Sequence, residues 1–155
     1  MSTLPAAFTN DMLDLLKIFN AHNVQYLIIG AHAVNAYTEA RATKDLDIWV
    51  NPMIENAKLT YQGLAEFGAP LQNVSIETFT EEDSFFVIGV KPNRVDILKK
   101  VPGLEFSAAW KNRNNITISD IPVAVLSFDD VVKAKLAAGR TQDLADVEKL
   151  RLAKK

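Results

Sequence analysis

The chain reads as an α/β (α+β) protein, a mixed β-sheet flanked by helices, and three observations predict it. Segments with apolar residues at three-and-four spacing alternate with short β-rich runs. Two of those runs, "DLDIWV" and "RVDIL", alternate aspartates with apolar residues, the pattern of a strand with two unlike faces. A glycine at 30 and a Ser127–Asp130 capping signature each open a helical pattern directly after a β-rich run.

Taken along the chain, Thr9 caps a helix that turns Met12, Leu15, Leu16 and Phe19 inward. "VQYLIIG" is a strand ending in glycine, and "AHAVNAY" is the helix after a tight turn. "DLDIWV" is the next strand, stopped by Asn51 and Pro52. The helix "IENAKLTYQGLAEFG" is expected to bury Ile54, Ala57, Leu64 and Phe67 and to end at Gly68. "SFFVIGV" and "RVDIL" flank the turn "KPN" as a hairpin. "NITIS" and "IPVAVL" are short strands or edge pieces. "FDDVVKAKLAA" is a capped helix interrupted by Gly139, and "TQDLADVEKLRLAKK" is a last helix with Leu144, Val147 and Leu150 inward.

Composition bounds the function. At 155 residues, with 48% hydrophobic and 23% charged residues, the chain is expected to be one soluble domain over residues 1–155. A net charge of −2 argues against general attraction to nucleic acid or anionic membrane. Cysteine is absent, which excludes disulfides, cysteine-ligated zinc and a cysteine nucleophile. Neither a signal-peptide pattern nor a bilayer-spanning apolar stretch is visible, so a cytoplasmic, bacterial-type protein is expected. The P-loop, dinucleotide, G-x-S-x-G and H-E-x-x-H motifs are all missing.

The chemistry concentrates in "TKDLDIWV". Asp45 and Asp47 share one side of their strand while Leu46 and Ile48 take the other, and paired anions in a poorly solvated place need a cation, a shared proton or basic partners. Asp96 in "RVDIL" repeats the pattern. Three such carboxylates on neighbouring strands would make a hard, all-oxygen site suited to Mg²⁺ or Mn²⁺. Standing alone, D-x-D is more often a solvated strand face. Here Gly30 and the amides of Ala31, His32 and Ala33 precede it, a cradle of phosphate size at a helix start.

"YLIIGAHAVNAYTEARATKDLDIWV", followed by "NRVDIL" and "AAGRTQDLADVEKL", resembles the nucleotidyltransferase superfamily with the DNA polymerase β-like fold. More narrowly it resembles small bacterial members related to nucleotidyltransferase toxins of abortive-infection systems. The likeness runs from about Val24 to Leu150. It implies that Gly30 and Ala31 form the nucleotide-phosphate turn, that Asp45, Asp47 and Asp96 are catalytic and bind the metal, and that Lys135 and Arg140 contact the triphosphate or close the fold, while Arg41 and Lys44, which flank the aspartates, are read as balancing triphosphate charge. It further implies an NTP substrate, an acceptor that is an RNA, a protein or a small molecule, and a partner protein or a second copy completing the acceptor site. One departure stands out: Ala31 occupies a position where the superfamily commonly has Gly or Ser, so the N–H survives and the hydroxyl does not. Two alternatives follow, a nucleotide-binding module with weak or no turnover, and a toxin–antitoxin component modifying tRNA or a partner protein.

Other candidates carry ordinary readings. Lys133, Lys135 and Arg140 suit a helix C-terminus, and Asp143 with Asp146 is expected to pair with Arg140 or cap the last helix rather than to form a second metal site. Thr43 is read as the start of its strand. His32 could meet a phosphate or base but more often would edge the core, His22 has no expected chemistry, and Trp49 is expected to pack while Trp110 could stack a base.

Overall fold

The computed structural model describes residues 8–38, 45–81, 86–89 and 93–154. Six strands form one mixed sheet in the order β3-β4-β2-β1-β6-β5. They are β1 (Tyr26–Ile29), β2 (Leu46–Val50), β3 (Phe86–Ile88), β4 (Val95–Leu98), β5 (Asn114–Ile118) and β6 (Ile121–Val125). The helices are α1 (Asn10–Ala21), α2 (Gly30–Tyr37), α3 (Ile54–Phe67), α4 (Phe106–Lys111), α5 (Phe128–Ala138) and α6 (Thr141–Ala153), with a 3₁₀ turn at Ile76–Phe79. β1 runs antiparallel to β2 and parallel to β6, and β2 runs parallel to β4. The hairpins β3–β4 and β5–β6 close the two edges. Among the described residues no helix is long and apolar enough to cross a membrane.

Local chemistry accounts for the helix ends. Thr9 accepts a hydrogen bond from the Met12 amide at 3.1 Å, and Ser127 Oγ accepts one from the Asp130 amide at 3.1 Å. α3 ends at Gly68 and α5 at Gly139, both left-handed. α1 buries Met12, Leu15, Leu16 and Phe19 as its spacing predicts, and packs on α3, where Gly63 opens the approach. A Cβ on Gly63 would stand 3.1 Å from the Phe19 ring. α2 packs against α5 and α6.

Several expectations are corrected. Ile54 is exposed at the first position of α3, and Asn56, Thr60 and Gly63 share the buried face with Ala57 and Leu64. Leu144 is exposed on α6, whose inward positions are Asp143, Asp146, Val147 and Leu150. Placing carboxylates there breaks the apolar periodicity on which the expectation rested. Trp110 is engaged by its own neighbours: its ring stacks on Phe106 at 5.8 Å, and the Arg113 guanidinium lies 3.9 Å from the ring centre. The turn "KPN" falls partly outside the described residues, though β3 and β4 do pair as a hairpin.

Candidate active site

Sheet register assembles the acidic group. In the parallel pair of β2 and β4, Asp47 lies directly beside Asp96, so two carboxylates share one face of adjacent strands. Both are half-buried. Loss of hydration pushes the Asp47 carboxyl up to about 6, and the negative charges of Asp96 and then Asp45 push the same way.

The sequence reading missed the cation in this group. Arg94 Nε lies 2.8 Å from Asp96 Oδ1, Arg94 Nη2 donates to Asp96 Oδ2 at 3.2 Å, and the Arg94 backbone amide donates to Asp45 Oδ1 at 3.0 Å. The signal was present in "NRVDIL": residues two apart on a strand face the same side, so an arginine two places before Asp96 belongs to its face. The Nε–Oδ1 contact is close but not aligned as a hydrogen bond, leaving Asp96 Oδ1 buried without a hydrogen-bond partner. As these side chains stand, no group of three or more His, Cys, Asp or Glu among the described residues is arranged to hold a metal ion. Arg94 instead engages Asp96 through its guanidinium and Asp45 through its backbone amide.

Gly30 fixes the other wall. Its φ of +69° lies in the left-handed region, and a Cβ there would stand 2.5 Å from Asp47 Oδ2. Both demands select glycine. Gly30→Ala is therefore expected to cost about 1–3 kcal/mol and to turn the Asp47 carboxylate away; urea unfolding together with Mn²⁺ titration checks both effects. The N-terminus of α2 has no side-chain cap, so its first-turn amides, that of Ala31 included, are not spent on a capping side chain. His32 in that turn is buried, its ring centre 4.3 Å from that of Phe8, and burial pushes its imidazole down to about 4. A neutral, core-edge histidine is what this describes.

A cavity of about 190 Å³ opens between the sheet and α5, lined in part by Gly30, Asp47, Lys135, Arg140 and Asp143. The two cations are held by carboxylates. Lys135 Nζ lies 3.2 Å from Asp143 Oδ1 and 3.0 Å from Asp146 Oδ2, and Arg140 Nε lies 2.6 Å from Asp143 Oδ2. Arg140, the foremost cause, and Lys135 hold the Asp143 carboxyl down to about 2. Lys100, not singled out from the sequence, also lines the cavity. Thr43, Arg41 and Lys44 lie outside the described residues. His22 pairs with Glu66 at 2.8 Å.

No protein-family profile matches the chain, and no curated protein sequence matches it either. Solved structures do. The lincomycin-bound lincosamide antibiotic adenylyltransferase LnuA superposes with a TM-score of 0.58 at 15% identity, over 94% of this chain and 97% of that one. TM1012 of Thermotoga maritima, classed with the nucleotidyltransferases, gives a TM-score of 0.60 at 16% identity, over 93% of this chain and 91% of its own. The antibiotic-resistance factor ANT(2'')-Ia gives 0.56 at 15% identity, over 92% and 80%. Identities this low speak for architecture alone, and the architecture is shared over nearly the whole length: the chain has the nucleotidyltransferase fold.

Proposed function

We propose that the protein is a metal-dependent nucleotidyltransferase that moves a nucleoside monophosphate from an NTP to an acceptor hydroxyl. The observation that carries this reading is the Asp47–Asp96 pair, one carboxylate from each of two neighbouring strands, set against Gly30 at the uncapped start of α2. The residues suit a hard divalent ion by the all-oxygen chemistry of carboxylates on neighbouring strands, and Arg94, whose Nε stands 2.8 Å from Asp96 Oδ1, would have to give way to it. Asp45, Asp47 and Asp96 would hold Mg²⁺ or Mn²⁺, which would supply positive charge to the phosphates and lower the pKa of the acceptor hydroxyl.

The chain's own groups would do the rest. The amides of Gly30 and Ala31 would bind phosphate oxygens and fix the triphosphate. Asp96 would orient the acceptor hydroxyl and take its proton as that oxygen forms the new bond to the α-phosphorus. The bond to the bridging oxygen breaks, and pyrophosphate departs with that electron pair. Arg140, 76% exposed and using two of its guanidinium N–H groups on Asp143, could reach a phosphate, whereas Lys135 is committed to two buried carboxylates.

A second reading, nucleotide binding without turnover, is favoured by Ala31, which lacks a hydroxyl, and by the hold of Arg94 on Asp96. Incubation with each NTP, Mg²⁺ and a pooled acceptor extract, monitored for pyrophosphate, separates the two. Binding with no pyrophosphate release would remove the enzymatic reading. Arg94→Met bears on the same point: freeing Asp96 is expected to tighten Mn²⁺ binding about tenfold, read by calorimetry. Weaker binding would instead make Arg94 a support that orients Asp96.

A further inference from the structure

We propose that Lys99 is a pH-operated latch behind the acidic site: its buried, unpartnered ammonium loosens the 3₁₀ turn from β4 at neutral pH, and loss of the proton in mild alkali lets the two close. The latch does not depend on which chemistry the site performs. Burial alternates along 95–100, deep at Val95, Ile97 and Lys99 and shallower at Asp96, Leu98 and Lys100. Lys99 therefore continues the face of β4 that is turned away from Asp96. Phe86 lies beside Ile97 on that face, and its ring centre stands 5.7 Å from that of Phe79 in the 3₁₀ turn. The turn thus covers this side of the strand. Lys99 is 3% exposed there, and among the described residues its Nζ has no hydrogen-bond partner.

An ammonium so placed needs an anion beside it. Glu55, Lys58 and Glu66 of α3 and Glu77 of the turn are all exposed, and β3 carries no charge. On the opposite face of β4, Asp96 and Arg94 are paired with each other. Glu81, just after the turn, favours the charged amine without closing to an ion pair. Loss of hydration outweighs it and pushes the amine down to about 8 from an ordinary 10.5. The packed arrangement therefore suits the uncharged amine. Below about pH 8 the folded and unfolded chains both carry the proton. Between about 8 and 10.5 the unfolded chain keeps a proton that the folded chain has released, so stability rises with pH through that window. Little else holds this corner, because β4 is one strand from the edge of the sheet and its outer neighbour β3 is three residues long. The same strand presents Asp96 on its other face, so the latch sets how firmly the acidic site is backed.

Three measurements on the wild-type chain and Lys99→Met test this. With lysine Cε labelled for nuclear magnetic resonance, one wild-type signal, missing from the variant, is expected to titrate near pH 8. Lys99→Met keeps the apolar stem without the charge. It is expected to melt about 5 °C above wild type at pH 7, with the gap more than halved at about pH 9.5. A glutamate-specific protease reads the latch locally: at pH 7 it is expected to cut wild type after Glu77 and Glu81 several-fold faster than the variant, while cutting after Glu148 in α6 changes little. A titration midpoint near 10.5 overturns the proposal, as does a melting gap that stays constant with pH. Equal slowing after Glu148 also overturns it, because Lys99 would then burden the whole fold rather than latch one corner. If Lys99→Met does not fold, the wild-type chain decides alone: a lysine midpoint near 8, with cutting after Glu77 and Glu81 slowed relative to Glu148 between pH 7 and pH 9, supports the latch, and the absence of either overturns it.

Discussion

Asp47→Asn is expected to silence nucleotidyl transfer and, in the metal-free chain at neutral pH, to make the fold more stable. Asp47 titrates near 6 in the folded chain against an ordinary 3.8. Below about pH 4 both folded and unfolded chains carry the proton. Between about 4 and 6 the folded chain retains a proton that the unfolded chain has released, so stability falls as pH rises through that window and stays lower above it. An asparagine keeps the shape without the charge and removes that deficit, a gain of about 1–2 kcal/mol once partial solvent screening is allowed for. Transfer should drop by about three orders of magnitude or more, because the amide neither neutralises a divalent ion nor replaces an anionic oxygen. Thermal unfolding at pH 5 and pH 7.5, with and without Mn²⁺, reads the effect: the variant melts above wild type by a wider margin at the higher pH, and Mn²⁺ raises the melting temperature of wild type alone. A variant less stable than wild type at pH 7.5 without metal would contradict the charge crowding inferred at β2 and β4.

The second large effect lies at the α5–α6 junction. Asp143 and Asp146 are 1% and 2% exposed, and Lys135 reaches both. Lys135→Met removes the shared cation and leaves buried carboxylates under-compensated, a change that typically costs about 3–5 kcal/mol. Arg140 and Gln142 still donate to Asp143 and Asp146 and will blunt part of the loss. Urea unfolding measures it, and adding Asp146→Asn to Lys135→Met should recover a portion because the two changes act on one network. A cost under about 1 kcal/mol would mean that water, not Lys135, balances these charges. Asp143 adds an acid limb of the opposite sign to that of Asp47. With its carboxyl held down near 2, its contribution is present above about pH 4 and lost as pH falls towards 2.

Local rules carried much of the fold. Caps at Thr9 and Ser127, the left-handed glycine ends and the two-faced strands at 46–50 and 95–98 are short-range facts that neighbouring residues declare. The missed elements are those that such rules resolve poorly. α4 is only six residues long, and the 3₁₀ turn only four. β5 and β6 match the expected strands, and only the hairpin that joins them goes unannounced, because it turns on Ser119 and Asp120, at φ of +49° and +67°, rather than on the glycine or asparagine that usually signals such a turn. Pro122 inside β6 is tolerated because β1 pairs with that strand only at Val125. At the site, alternation alone put Asp45 and Asp47 on one side, but the neighbour that completes the group is set by which strand docks beside β2. Nothing local to "DLDIWV" announces β4, and nothing there announces that Arg94 comes with it.

That docking has a consequence for the order of assembly. β1, α2 and β2 follow one another closely along the chain, whereas the contact between Arg94 and Asp45 spans 49 residues. Closing so large a loop is slow relative to local hairpin formation, so the acidic face is completed late, after α3 has been laid down. A divalent cation would then act on a late part of the folding reaction: it should slow unfolding strongly, barely change the refolding rate, and protect the amides of β2 and β4 together in hydrogen exchange.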